Sequence, residues 1–468
     1  MAQSDDNIQL EGASTSKPTT AIDHPPANFL QPFDPENPLD WPLSRKWLVT
    51  DIISATGLNR IMVSTILAPA LPAIAKEMAM SSTEEMMALS IYLLATAFGP
   101  LVIGPLSEVY GRQLILHASS VWFLVWNIVC GCAETKGTLL AARFLAGFGA
   151  SAVYSLAGGV LNDIWRPEQR GKSLGVYLLI PLLGAAIGPI LGGVIVANTT
   201  WRWIFWSTSI FQALMMGVSV FSFQETYAPE ILRRRARRLN IPLEKRSMMN
   251  FTKALTRPVR FLLFHPIIQV SVLLSAFDYG ILYITLSTFS SLWTSVYHQS
   301  VQISGLHYIA CSLGEVIGSQ VGGFLMDRLY MRPRRHTRPE ARLPLEGFSM
   351  AIAALGLVFY GWAAHYKLYW VVVDVAVTIM MVGLQMFGMP VSGYIIDSYG
   401  EHTSSAMASL QFGRSLSAFL LPLFAPKMYQ VLGYGWANSV LASAGLLMLG
   451  LVWVLWRYGP QWREKLVV

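Results

Sequence analysis

Apolar stretches of about twenty residues recur along this chain from residue 47 to residue 457. A helix needs ~20 apolar residues to cross the hydrocarbon of a bilayer, and in lipid its backbone groups must be bonded inside the segment. The sequence therefore predicts an all-α membrane protein. Twelve crossings are expected, at 47–72, 86–106, 114–133, 138–161, 172–197, 202–223, 263–293, 303–326, 347–365, 369–393, 404–426 and 436–457. Charge is scarce: 13% of the 468 residues, where soluble domains carry about 25%. Several of the fifteen tryptophans, among them Trp41, Trp47, Trp201, Trp203, Trp206, Trp436 and Trp456, fall near segment ends, where indoles anchor at the interface.

Other classes lose support. Cys130, Cys132 and Cys311 all lie in apolar segments, with no Cys-x-x-Cys and no Cys/His cluster. Neither a metal site nor a disulfide framework is expected. No Gly-x-x-x-x-Gly-Lys-Ser/Thr loop is present, which argues against ATP as the drive. No Ser/His/Asp or paired-carboxylate cluster suggests an enzyme, and no cofactor is implied. The polar N-terminus lacks the basic region of a cleavable signal peptide, so the first apolar segment is expected to act as the membrane signal.

Basic residues divide the chain. Arg112, then Arg166, Arg170 and Lys172, then the run Arg233–Arg238 with its followers to Arg260, then Arg328 to Arg342, and finally Arg457, Arg463 and Lys465 occupy alternate links. The positive-inside rule places those links and both termini in the cytoplasm. The expected organisation is a disordered tail at 1–40, a six-helix bundle at 41–225, a basic link at 226–262, a second six-helix bundle at 263–458 and a tail at 459–468. The arginine run in the link reads as an amphipathic helix on anionic lipid rather than a nucleic-acid patch. The halves echo each other. Gly104-Pro105-Leu106-Ser107-Glu108 follows the second segment and Gly323-Phe324-Leu325-Met326-Asp327 follows the eighth. Two pseudo-symmetric bundles built from a repeat are a transporter architecture.

The stretch from Arg143 to Gly193 is the most telling. Arg143 is an arginine in an apolar span, which is costly and marks a functional candidate. Gly184, Gly188, Pro189, Gly192 and Gly193 form a small-residue seam that lets helix backbones approach closely.

These motifs resemble the major facilitator superfamily. Gly104 to Arg112, with Glu108 and Gly111, is similar to that family's loop motif between helices two and three. Arg143-Phe144-Leu145-Ala146-Gly147 is similar to its helix-four motif, and Gly184 to Gly193 to its helix-five motif of antiporters. Asn37-Pro38, the Trp201–Trp206 run, Glu225-Thr226-Tyr227-Ala228-Pro229 and Tyr279-Gly280-Ile281-Leu282-Tyr283 resemble the fungal branch of drug:proton antiporters. Tyr330 stands where the first loop motif has Gly111, a departure from the pattern.

The resemblance implies roles. Gly104, Glu108, Gly111, Arg112, Gly323 and Asp327 would form an inner gate. Arg143, whose charge persists at any relevant pH, would act on the proton through a partner acid. Asp278 is the first choice for that acid and Glu315 the second, with Arg414 as the competing partner of Asp278. Tyr279, Tyr283 and Trp293 would line the substrate cavity. The implied function is proton-coupled efflux of drugs, polyamine-like cations or secondary metabolites by a monomer. The expected membrane is the plasma membrane, with the vacuolar membrane as the alternative. The competing readings are a nutrient uptake carrier and a receptor that keeps the fold without transport. The expected partners are lipid, protons and a small organic substrate, and no nucleic acid.

Overall fold

A computed structural model of the chain describes residue 29 and residues 33–240, 248–330, 339–399 and 403–464, and its regular structure there is entirely helical. Eleven helical stretches are long and apolar enough to cross a membrane. The last, Ser405–Glu464, is two crossings in one, because Gly433 breaks it with φ 68° and ψ 169°. Glycine alone adopts that backbone without strain. The twelve crossings agree with the sequence expectation, and each is called by its order below.

Several helices run past their apolar stretches. The second span covers Ser82–Tyr110 because Ser81 and Glu84 form a reciprocal capping box ahead of the apolar stretch. The first span continues through a turn at Ala68–Ala70 into Leu71–Glu77. The fourth breaks at Ser151, between Lys136–Ala150 and Ala152–Ile164.

The glycine seam of the fifth span packs on the first span. A Cβ at Gly184 would stand 2.7 Å from the carbonyl of Leu58, one at Gly188 2.7 Å from that of Met62, and one at Gly192 would collide with that of Ile66. Backbone meets backbone, one turn at a time. Gly192→Val is expected to abolish correctly folded protein on detergent size-exclusion, since carbonyls cannot move aside. Gly217→Val, where nothing lies within 4 Å, is expected to leave the elution profile unchanged.

The two halves repeat in geometry as well as sequence. At the start of the third span, Arg112 Nε pairs with Asp163 at the end of the fourth, 3.4 Å away. At the start of the ninth, Arg342 Nε pairs with Asp397 at the end of the tenth, 2.8 Å away. Each arginine lies over a glycine four residues before its acid, Gly159 and Gly393.

The link begins with the helix Ala228–Arg238. Its Ile231 and Ala236 are buried, and Arg235 and Arg238 bond Asp34 and Glu36 at 2.7 and 3.0 Å. The end of the expected tail thus folds onto the link, beside a short turn at Pro38–Asp40 capped by Asn37. Residues 1–28 and 465–468 lie outside the described residues.

The halves meet along two seams, second span with eleventh and fifth with eighth. At one end, Ala68–Ala70 packs against the seventh span and Val301–Leu306. Among the described residues, the fourth and tenth spans make no comparable contact at the other end, which carries the link. Gly104 and Gly158 face open space there, and Tyr154 stays 37% exposed. The centre is therefore open towards the link side.

Candidate functional site

Arg143 is fully buried, not at the interface. Its guanidinium donates to the carbonyls of Ala88, Leu89 and Val63 at 3.1, 3.2 and 3.3 Å and lies 4.8 Å from the Tyr92 ring centre. It ties together spans one, two and four. Among the described residues no carboxylate bonds to it, so the expected partner acid is not adjacent in this conformation. A second cation, Arg60 of the first span, is 1% exposed and stacks 3.7 Å from the centre of the Phe123 ring. The reasoning that singled out Arg143 applies to it equally, and sequence reading passed over it.

The buried acids of the transmembrane core lie in the other half. Asp278, on the seventh span, and Arg414, on the eleventh, flank Gly388: a Cβ there would be 3.0 Å from Asp278 Oδ2 and 3.9 Å from Arg414 Nη2. Arg414 Nη2 donates to Ser392 Oγ at 2.8 Å and lies within reach of Ser275 and the Gly388 carbonyl. The competing reading of Asp278, as a neighbour of Arg414, thus has geometric support. Glu346 joins them, fully buried, with Oε1 accepting from the Val391 N–H at 2.9 Å. Sequence reading missed Glu346 because its helix starts earlier than hydropathy suggests. Pro344 at the first helical position was the available signal. Glu315, on the eighth span, is 4% exposed and makes no hydrogen bond or ion pair among the described residues.

Tyr154, Tyr279 and Tyr283 gather where the halves meet, within electrostatic reach of one another. Tyr283 Oη lies 3.4 Å from Ser64 Oγ of the first span, and Arg414 lies 5.0 Å from the Tyr279 ring centre. Trp293 does not join them. It is fully buried and stacks on His307 rather than on the three tyrosines. Its helix turns through a π-helical segment at Leu292–Val296, a change of phase that helical periodicity does not reveal.

The loop motif is built around Glu225. Its carboxylate accepts the N–H groups of Arg112 and Gln113 at 2.8 and 3.3 Å, capping the third span. It also accepts from Thr226 and Tyr227 and pairs with Arg234. Gly111, at φ 93°, is required twice over, since a Cβ would strike that carboxylate. Arg112 bonds Ser107 and Asp163, not Glu108, which stays exposed. Tyr227 presents its ring to Arg112 at 5.0 Å, and burial holds its phenol above the usual range. These contacts stay within the first half and the start of the link. In the second half Gly323 meets only the Met389 methyl, and the side chain of Asp327 lies outside the described residues.

Three comparisons bear on this arrangement. The sequence pattern of the Major Facilitator Superfamily matches residues 53–422. A probable efflux pump of Aspergillus flavus is 50% identical over 419 residues, spanning 86% of this chain and 99% of that protein. An efflux pump of Penicillium aethiopicum is 39% identical over 448 residues, 92% of this chain and 89% of its own. Among solved structures, the Escherichia coli xylose transporter in a partially occluded inward-open conformation superposes with TM-score 0.67 at 14% identity, covering 89% of this chain and 98% of that one. The human organic anion transporter MFSD10 gives 0.63 at 16% identity, covering 88% and 100%.

Proposed function

The chain belongs to the Major Facilitator Superfamily, and from that premise we propose that it exports small organic molecules in exchange for protons. The observation that carries this reading is the separation of buried charge. The first half holds Arg60 and Arg143 in its core, and the second holds Asp278, Glu315 and Glu346 with Arg414. Each is costly in a bilayer and therefore a functional candidate.

Rocking of two bundles about a central site changes the distance between fixed cations in one and acids in the other. An acid brought nearer a cation favours its charged form, and one moved away favours its neutral form. That dependence on conformation loads a proton on one side and releases it on the other. The substrate would sit against Tyr154, Tyr279 and Tyr283, whose faces suit aromatic or cationic bodies. Drugs, polyamine-like cations and secondary metabolites fit such a wall. Relatives named as efflux pumps support export over nutrient uptake. The protein would act as a monomer in the plasma membrane, or alternatively the vacuolar membrane.

The test is reconstitution in proteoliposomes with an imposed pH gradient. Substrate is expected to accumulate on the acidic side, exchanging with protons. Accumulation on the alkaline side would instead identify a proton-coupled uptake carrier, and no transport of any panel compound would favour the receptor reading.

Topology has its own check. In a background with Cys130, Cys132 and Cys311 changed to serine, Asn240→Cys is expected to react with an impermeant maleimide only after permeabilisation. Labelling of intact cells would reverse the assigned orientation.

A further inference from the structure

At the end of the second half opposite the link, an acid and a histidine are locked together under a tryptophan. His307, in the eighth span, engages Asp374 Oδ2 of the tenth span through Nδ1 at 2.7 Å and Gln299 Oε1 through Nε2 at 2.8 Å. Both ring nitrogens thus face oxygen acceptors. A neutral imidazole has one N–H, whereas the imidazolium has two. The indole of Trp293 lies flat on the ring, with centroids 3.6 Å apart and planes 9° apart, and its face attracts a cation. The arrangement gives the ring room for a second N–H, with an oxygen facing each nitrogen. Asp374 keeps a second oxygen, Oδ1, with no hydrogen-bond partner, and its side chain remains 16% exposed.

The histidine also begins a stripe. His307, Cys311 and Glu315 follow one another at four-residue intervals and share one face of the eighth span. Cys311 is within electrostatic reach of both Asp374 and Glu315, and Glu315 in turn of Tyr279 and Tyr283 in the central wall.

We propose that His307 and Asp374 form the proton entry station of the transport cycle and that Glu315 is the acid they load. This rests on the proton-coupled reading above. A proton from the aqueous face opposite the link adds to the carboxylate–imidazole pair, and one leaves the pair for the Glu315 carboxylate, which becomes a neutral acid. Each four-residue step rises about 6 Å, longer than one hydrogen bond, so water bridges the steps. Ser312, whose buried hydroxyl has no partner, offers a water a place to bond. The groups facing the pair are Trp293 and Tyr297 from the seventh span, Gln299 from the connecting loop, Cys311 from the eighth, and Trp370 with Asp374 from the tenth. None of them is a basic residue competing for the carboxylate.

Two independent measurements test the station. The first is spectroscopic and needs no substrate. Protonated imidazole quenches a stacked indole, so Trp293 emission, taken as native minus Trp293→Phe, is expected to titrate with pH. His307→Gln should remove that titration. Emission that does not titrate, or that titrates unchanged in His307→Gln, overturns the station.

The second is transport in proteoliposomes. His307→Gln, Asp374→Asn and Glu315→Gln are expected to lose pH-driven accumulation while keeping substrate-for-substrate exchange without a gradient. Retention of gradient-driven accumulation by the His307 variant overturns the proposal. Loss of both activities does so too, because it makes the residue structural. Should native protein itself ignore the gradient, proton coupling fails, and the fluorescence arm shows separately whether the pair titrates.

Discussion

Arg143→Ala is expected to abolish uphill, pH-driven export while the protein still reaches the membrane. The side chain joins three spans through carbonyls of Val63, Ala88 and Leu89. Ala88 and Leu89 lie inside the second helix and keep its backbone partners, whereas Val63 stands in the last turn of Leu43–Thr65, so truncation takes a donor from its carbonyl. What it removes is a fixed charge in a low-dielectric core, where a charge acts over long range. Arg143→Lys should retain part of the activity, because the charge stays while the planar fork that reaches three carbonyls is lost. The measurement is substrate efflux from proteoliposomes with and without an imposed pH gradient, alongside a thermal melt. An alanine variant that concentrates substrate as well as native protein would make Arg143 a structural tie. A variant that melts much earlier and loses gradient-independent exchange as well would point the same way.

How much of this was legible beforehand depended on the kind of signal. The twelve crossings were, because hydropathy over twenty residues is a strong constraint. The break at Gly433 falls between the expected segments 404–426 and 436–457, whereas the start of the ninth helix was missed although Pro344 signals it. The glycine seam was legible as a close-packing surface, but its partner was not: no sequence pattern says that Gly184, Gly188 and Gly192 meet Leu58, Met62 and Ile66. Partnerships of charge were equally hidden. Glu108 and Arg112 were expected together in an inner gate, yet Arg112 reaches Asp163, 51 residues away in sequence, and Glu225 caps its helix. Spacing along a helix shows which residues share a face, not what that face meets. Trp293 illustrates the same limit. It was expected beside Tyr279 and Tyr283 in the cavity wall, and it stacks on His307 after a π-helical turn.

The second large effect concerns Arg414. It is the cation beside Asp278 and Glu346, and both acids retain an oxygen without a hydrogen-bond partner, Asp278 Oδ1 and Glu346 Oε2. Arg414→Ala would leave two buried carboxyl groups with no compensating charge. Arg414 bonds Ser275, Ser392 and the Gly388 carbonyl rather than either acid directly, so the loss falls below the about 3–5 kcal/mol of breaking a contacting buried pair. The variant is expected to melt well below native protein in detergent and to express poorly. Adding Asp278→Asn removes one of the stranded charges, so the double variant should recover much of that stability. If Asp278 also takes part in proton traffic, neither variant will regain gradient-driven export. If it serves only to neutralise Arg414, export will return with stability in the double variant. Melting temperature and pH-driven accumulation, measured on both, therefore separate the two readings of Asp278. A double variant no more stable than Arg414→Ala would show that Arg414 stabilises the bundle through Ser275, Ser392 and the Tyr279 ring instead, and not through charge.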